Sequence, residues 1–390
     1  MSRVDEILTS MKRPEPGDLV ELLGIEDPAE EDRLYAAAYA VKTAEIGRVV
    51  HLRGLVELSN VCAKDCLYCG IRRSNPAVAR YTLSDEEVLT LACWAHAQGY
   101  GSLVIQSGER SDSTFVARIA GLLRAIRAQS RDELAITLSL GEQSEATYRE
   151  WFAAGAERYL LRIETSNPDL YRRLHPPDHV WEVRRDCLRV LRAIGYQLGS
   201  GVMIGLPGQT LADLAEDILF FEREGVVMIG MGPFIPHRET PLGADRVGAA
   251  GLCPAEPERG RVWEPFQGSH HKRHQLRLAL RMIATTRLYL RDVNIAATTA
   301  LQALAPNGRE LGLAAGANVI MPNLTAPQYR SSYLLYDGKP CLDESADHCR
   351  ECLEKRIVSM GERIGYGERG DSRRFLNDSR VCDGLSAKRR

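Results

Sequence analysis

Between residues 54 and 321 the chain repeats one pattern eight times, a short apolar run followed by a longer amphipathic stretch. This is the signature of βα units, whose strands are buried on both faces and whose helices are buried on one. The runs predict strands at 54–59, 102–106, 134–139, 158–163, 199–204, 226–231, 294–297 and 318–321. Between them, helices are expected at 84–98, 144–154, 180–194, 211–224 and 271–290. Ser84 with Glu87 forms a capping box, and Gly99 and Gly195 stand where helices stop. Eight such units close most naturally into an α/β (β/α)8 TIM barrel, which gathers its reactive groups on the loops after the strands.

The flanks read differently. Residues 1–50 form an N-terminal helical extension, with 32–46 rich in good helix formers, and 51–330 form the barrel. Glycines, prolines and charges at 243–270 mark an insertion after the sixth strand that is suited to act as a lid. Residues 331–390 make a C-terminal cysteine-containing segment, polar and glycine-rich from 361 and ending in a loose tail.

A formal net charge of -2 weighs against a nucleic-acid or anionic-membrane binder, both of which need a basic field. The N-terminus lacks the apolar run of a secretory signal, and the uncharged stretch 311–328 is interrupted by Gly, Asn and Pro. A cytoplasmic protein is expected. Ten cysteines in that reducing compartment, clustered rather than spread, point to metal binding and not to disulfides.

The strongest cluster is Cys62-Ala-Lys-Asp-Cys66-Leu-Tyr-Cys69, directly after the first strand. Three thiolates on one loop can each hold one iron of a 4Fe-4S cubane, leaving the fourth iron without a protein ligand. S-adenosylmethionine (SAM) can chelate that iron, so that an electron from the cluster breaks a carbon–sulfur bond and yields a 5'-deoxyadenosyl radical. Zinc is the rival occupant, although it wants a fourth ligand of matching spacing and none lies nearby. The isolated Cys93, Cys187, Cys253 and Cys382 read as packing residues. His270, His271 and His274 read as exposed, and His175 and His179 as loop residues without obvious partners.

Tyr68 before the third cysteine is typical of the radical SAM superfamily, which the chain resembles. The likeness is closer to the HydE family of FeFe-hydrogenase maturases, near biotin synthase and methylornithine synthase. It is carried by Gln106-Ser-Gly-Glu109, Leu161-Arg-Ile-Glu-Thr-Ser166, Gly205-Leu-Pro-Gly-Gln-Thr210, Ala297-Thr-Thr299 and Gly316-Ala-Asn-Val-Ile-Met-Pro322, in the family's order. The resemblance implies that Ser107, Gly108 and Glu109 hold the SAM amino group, that Glu164 meets SAM, and that Arg184 pairs with its carboxylate. Met228 and Gly230 are expected to wall the adenine. Arg162, Thr298 and Thr299 would hold the carboxylate of an amino-acid-like substrate, which in the family is a cysteine-bound iron carbonyl cyanide species on the way to the hydrogenase diiron cofactor.

Cys341, Cys349 and Cys352 match the spacing of an accessory cluster in some members, 2Fe-2S or 4Fe-4S, with zinc or no metal as alternatives. The partners implied are a flavodoxin or ferredoxin as electron donor and the other hydrogenase maturases. Two rival readings stay open. One is a mutase or sulfur-inserting enzyme like methylornithine or biotin synthase, and the other is a zinc-stabilised barrel without catalysis.

Overall fold

The structure is a computed structural model that describes residues 3–10, 12–244 and 268–378. Most of the expected lid at 243–270 lies outside these residues, as do Cys253, Cys382 and the tail beyond 378. Eight parallel strands form the barrel: β1 (Val49–Ser59), β2 (Ser102–Ser107), β3 (Ala135–Ser139), β4 (Arg158–Leu160), β5 (Gln197–Ser200), β6 (Met228–Ile229), β7 (Asn294–Ile295) and β8 (Val319–Ile320). Their order around the sheet is β8-β1-β2-β3-β4-β5-β6-β7. A parallel bridge between Ala296 and Val319 joins the two end strands, helped by the Asn318 N–H donating to the Ile295 carbonyl at 2.9 Å. The bridge closes the ring of these eight strands.

Helices fall where the amphipathic stretches predict them. The Ser84 capping box with Glu87 is made, and Gly195 ends the helix Trp181–Ile194 at φ 107°. The sequence at 199–204 does not run as one strand. A Cβ at Gly201 would sit 1.9 Å from the Gly230 carbonyl oxygen, so the backbones nearly touch and β5 stops at Ser200. Beyond the gap, Met203–Ile204 pairs with Gly232–Pro233 as a separate short ladder.

At the opposite end, the barrel holds the polar segment after residue 361. Arg363–Ile364 pairs in parallel with Val49–Val50, which makes β1 begin at Val49 rather than at residue 54. From there the chain crosses the barrel floor. The Gly370 carbonyl accepts from Arg53 Nη2 at 3.2 Å and from Asn294 Nδ2 at 2.9 Å, and the Asp371 carboxylate accepts from both Arg158 and Gln197. Residues 363–378 are therefore built into the barrel.

Arg158 is completely buried, so Asp371 is its counter-charge. Burial alone would raise the Asp371 carboxyl, but the Arg158 charge and the hydrogen bonds from Gln197 and Arg158 outweigh it and hold it at about 2. The folded value lies below the unfolded one near 4, so the carboxylate's contribution is complete above about pH 4 and is lost as pH falls toward 2, about 2–3 kcal/mol in all. Urea midpoints measured between pH 5 and pH 2 should fall more steeply in the natural chain than in Asp371→Asn.

No helix among the described residues is long and apolar enough to cross a membrane.

Candidate cluster and cofactor site

The loop after β1 carries Cys62, Cys66 and Cys69, and three neighbours fix its path. The Leu67 N–H donates to the Leu174 carbonyl at 3.0 Å, and the Gly70 N–H donates to the Leu335 carbonyl at 3.1 Å. At Gly108 a Cβ would lie 2.4 Å from the Val61 carbonyl oxygen and 2.8 Å from Cys62 Cβ, so only glycine lets the β2 turn press against the cysteine loop. Ser107 Oγ donates to the Gly108 carbonyl at 2.6 Å.

Cys62 Sγ accepts backbone N–H groups from Lys64 at 3.4 Å and Glu109 at 3.3 Å. Such donors stabilise a ligating thiolate. Burial pushes the Cys66 thiol up to about 12 and the Cys69 thiol far above its usual value, each helped by its neighbouring cysteines. A half-buried loop of three thiols suits cationic iron. Sulfurs sharing one zinc stand about 3.8 Å apart, from zinc–sulfur bonds of about 2.3 Å. Among the described residues, the His/Cys/Asp/Glu trio whose donor atoms all lie within 4.8 Å is Cys66, His175 and His179, not the three cysteines. The three cysteine sulfurs do not all lie within that distance of one another, a spread wider than the spacing around a single zinc ion.

Beside the loop lies a buried charge network. Arg184 Nε donates to Glu142 Oε1 at 2.7 Å, and its Nη2 lies 3.8 Å from Glu109 Oε2. Lys64 Nζ lies 2.8 Å from Glu142 and 3.4 Å from Glu109. Burial and the nearby Glu142 charge raise the Glu109 carboxyl. Glu142 is lowered, because Arg184 and Lys64 outweigh the effect of its burial. The sequence reading singled out Glu109 and Arg184 but missed Glu142 and Lys64. Glu142 follows the end of β3 on the reactive face of the barrel, a position that marked it.

Glu164 sits at φ 66°, a strained backbone for a residue with a side chain, and both its carboxylate oxygens accept from Arg162 Nε at 3.1 Å. Arg162 is thus already paired with Glu164. Thr298 Oγ1 is buried with no hydrogen-bond partner among the described residues, and Thr299 opens the helix Thr299–Leu304. An orphaned hydroxyl at a barrel mouth is a mark of a ligand site. Met228 and Gly230 line an interior cavity with Arg53, Leu160 and Asn294. Arg53 Nη1 reaches Met228 Sδ at 3.0 Å, while Gly230 lies against Gly201, whose carbonyl accepts from the Glu164 N–H at 3.0 Å.

Three histidines depart from expectation. His175 and His179 are buried and have partners, with Tyr68 Oη 3.1 Å from His175 Nε2 and Cys66 Sγ 3.8 Å from His179 Nδ1. The segment that carries them lies along the cysteine loop, a contact between loops that sequence spacing does not reveal. His271 is buried as well.

In the C-terminal segment the neighbouring Cys341 and Cys349 thiols act on each other, which holds Cys341 below its ordinary value and Cys349 above it. Arg309 Nη2 approaches Cys341 Sγ at 3.7 Å, and Cys352 follows on the same helix as Cys349, Ala346–Ser359.

Residues 56–221 match the Radical SAM superfamily. The chain is 40% identical over 373 residues to the [FeFe] hydrogenase maturase subunit HydE of Thermotoga maritima, covering 95% of this chain and 98% of that one. The chain belongs to the HydE family. More distant relatives include the 3-methylornithine synthase of Methanosarcina acetivorans, 24% identical over 347 residues and 88% of each chain. Among solved structures, methylornithine synthase superposes with a TM-score of 0.72 at 22% identity, over 94% of this chain and 98% of the other. The maturase HydG from Carboxydothermus hydrogenoformans gives 0.73 at 17% identity, over 93% and 79%. At those identities the likeness speaks for the barrel alone. This HydE-family chain is a radical SAM enzyme.

Proposed function

We propose that the chain is an [FeFe]-hydrogenase maturase that cleaves SAM beside a 4Fe-4S cluster held by Cys62, Cys66 and Cys69. The observation that carries this reading is the half-buried three-cysteine loop pressed against Gly108, with Glu109, Glu142 and Arg184 beside it, in a chain alike to a HydE maturase over nearly its full length. Held by Cys62, Cys66 and Cys69, the cluster would supply the electron that splits SAM. The chain's own residues do the rest. Arg184 swings its guanidinium from Glu142 to the SAM carboxylate, Glu109 and its turn take the amino group, and Glu164 meets the ribose or amino group. Lys64 keeps Glu142 neutralised when Arg184 turns away.

Thr298, with its spare hydroxyl, and Thr299 with Arg162 receive an amino-acid-like substrate bearing a carboxylate, a cysteine-bound iron carbonyl cyanide species. Arg53 below them makes the interior cationic, which suits an anionic guest. Cys341, Cys349 and Cys352 hold an accessory iron-sulfur cluster. An electron donor of the flavodoxin or ferredoxin class and the other maturases are the partners, in the cytoplasm.

The test is made without oxygen. Reconstituted protein given SAM and dithionite is expected to release 5'-deoxyadenosine, and adding it to the remaining maturases is expected to restore apo-hydrogenase activity. Release of deoxyadenosine without hydrogenase activation would favour a mutase of the methylornithine synthase kind. Iron near four per chain, unaltered by Cys349→Ser, would remove the accessory cluster from this reading.

A further inference from the structure

The trio Cys66, His175 and His179 stands apart from the cubane's own requirements. One donor atom from each residue lies within 4.8 Å of the other two, and both imidazoles are buried. The geometry is built in rather than incidental. His175 ends the helix Pro168–Leu174, and the His179 N–H donates to the Pro176 carbonyl at 3.0 Å, closing a tight turn. Pro176 and Pro177 stiffen that turn, so the two rings are held 5.7 Å apart between centroids at little further cost in entropy.

The ring nitrogens are also disposed as in metal ligands. His175 Nδ1 lies 2.9 Å from the Tyr171 carbonyl, which can only accept, so the proton sits on Nδ1 and Nε2 carries the free lone pair. Metal-ligating histidines typically make such a bond behind the ring. That Nε2 now accepts from the Tyr68 hydroxyl, a bond that an ion would displace. His179 turns Nδ1 toward Cys66 Sγ at 3.8 Å. The Asp65 N–H donates to its Nε2 at 3.5 Å, so in this arrangement the ring proton lies on Nδ1, and an ion at Nδ1 requires the proton to move to Nε2, where the Asp178 carboxylate stands 3.8 Å away.

We propose that Cys66, His175 and His179 form a mononuclear site for a divalent transition ion, Fe²⁺ or Zn²⁺, that is open only while the cubane is absent. One thiolate and two imidazoles are a borderline donor set of the kind that binds zinc, cobalt and ferrous iron, with water in the fourth position. Donors within 4.8 Å need to close by about 1 Å to reach the roughly 3–4 Å between ligands of a tetrahedral ion. Because Cys66 serves both sites, ion and cubane exclude each other. Ferrous iron held here is delivered to a sulfur that the finished cluster reuses, and zinc held here keeps the cluster out.

The experiment uses the full chain purified without its cluster under argon, with Cys341, Cys349 and Cys352 replaced by alanine so that accessory thiols do not contribute. One equivalent of Zn²⁺ is added, and its coordination is read by X-ray absorption at the zinc edge. One sulfur and two imidazoles are expected; three sulfurs, or failure to take up one ion, would overturn the assignment. Titration with Co²⁺ is expected to give tetrahedral visible bands that survive Cys69→Ser. The same titration should lose at least tenfold in affinity in His179→Ala and, separately, in His175→Ala. Bands unchanged by both histidine replacements, or abolished by Cys69→Ser, would also overturn it. Cubane uptake by His179→Ala checks that this variant folds, and the absorption measurement needs no histidine variant at all.

Discussion

Arg184→Met is expected to weaken SAM binding by two to three orders of magnitude and to cut deoxyadenosine formation at least as far. The guanidinium is buried among Glu142, Glu109 and the Arg162 carbonyl, to which Nη1 donates at 3.0 Å. In the proposed complex it exchanges a protein carboxylate for the SAM carboxylate. Two charge-assisted hydrogen bonds at the lower end of their range, about 1.5–2 kcal/mol each, come to roughly 3–4 kcal/mol, or about 10²- to 10³-fold in affinity. Methionine has similar length and no charge, which leaves Lys64 alone against two buried carboxylates. Arg184→Lys keeps the charge but not the planar fork, and is expected to fall between, roughly tenfold weaker. Equilibrium dialysis of SAM against reconstituted protein measures binding apart from turnover. Equal affinities in the three proteins would remove Arg184 from the SAM site.

What could be read from the residues alone follows the range of the forces involved. The βα alternation and the capping box at Ser84 are local patterns, and they were legible. The true start of β1 was not, because Val49 and Val50 owe their strand to Arg363 and Ile364, far along the chain. The break after Ser200 likewise depends on how closely Gly201 meets Gly230, a contact between two strands. The site divides in the same way. Cysteine spacing on one loop announces a cluster, whereas Glu142, Lys64, His175 and His179 gain their roles from other loops that the barrel brings beside it.

Among the described residues, the helix before the barrel and the segment after it are joined by a buried ion pair, and breaking that pair should cost stability heavily. Lys42, on the helix Pro28–Glu45, lies 2.6 Å from Glu362, and their side chains are 1% and 0% exposed. Tyr39 donates to the other Glu362 oxygen at 2.6 Å. Burial presses the Lys42 amine toward its neutral form, and Glu362 opposes that. Lys42→Met keeps the volume but leaves a carboxylate enclosed with a single hydroxyl, and removing one partner of a buried pair costs about 3–5 kcal/mol. Adding Glu362→Gln removes the stranded charge and is expected to return most of that loss, so the double variant should unfold at higher urea than Lys42→Met alone. Since the pair stabilises the end of the barrel opposite the cysteine loop, SAM cleavage by folded Lys42→Met should match the natural chain. A urea midpoint that does not move would mean that water reaches Glu362 and that the two ends of the chain are held by the Arg363–Ile364 strand without help from this charge.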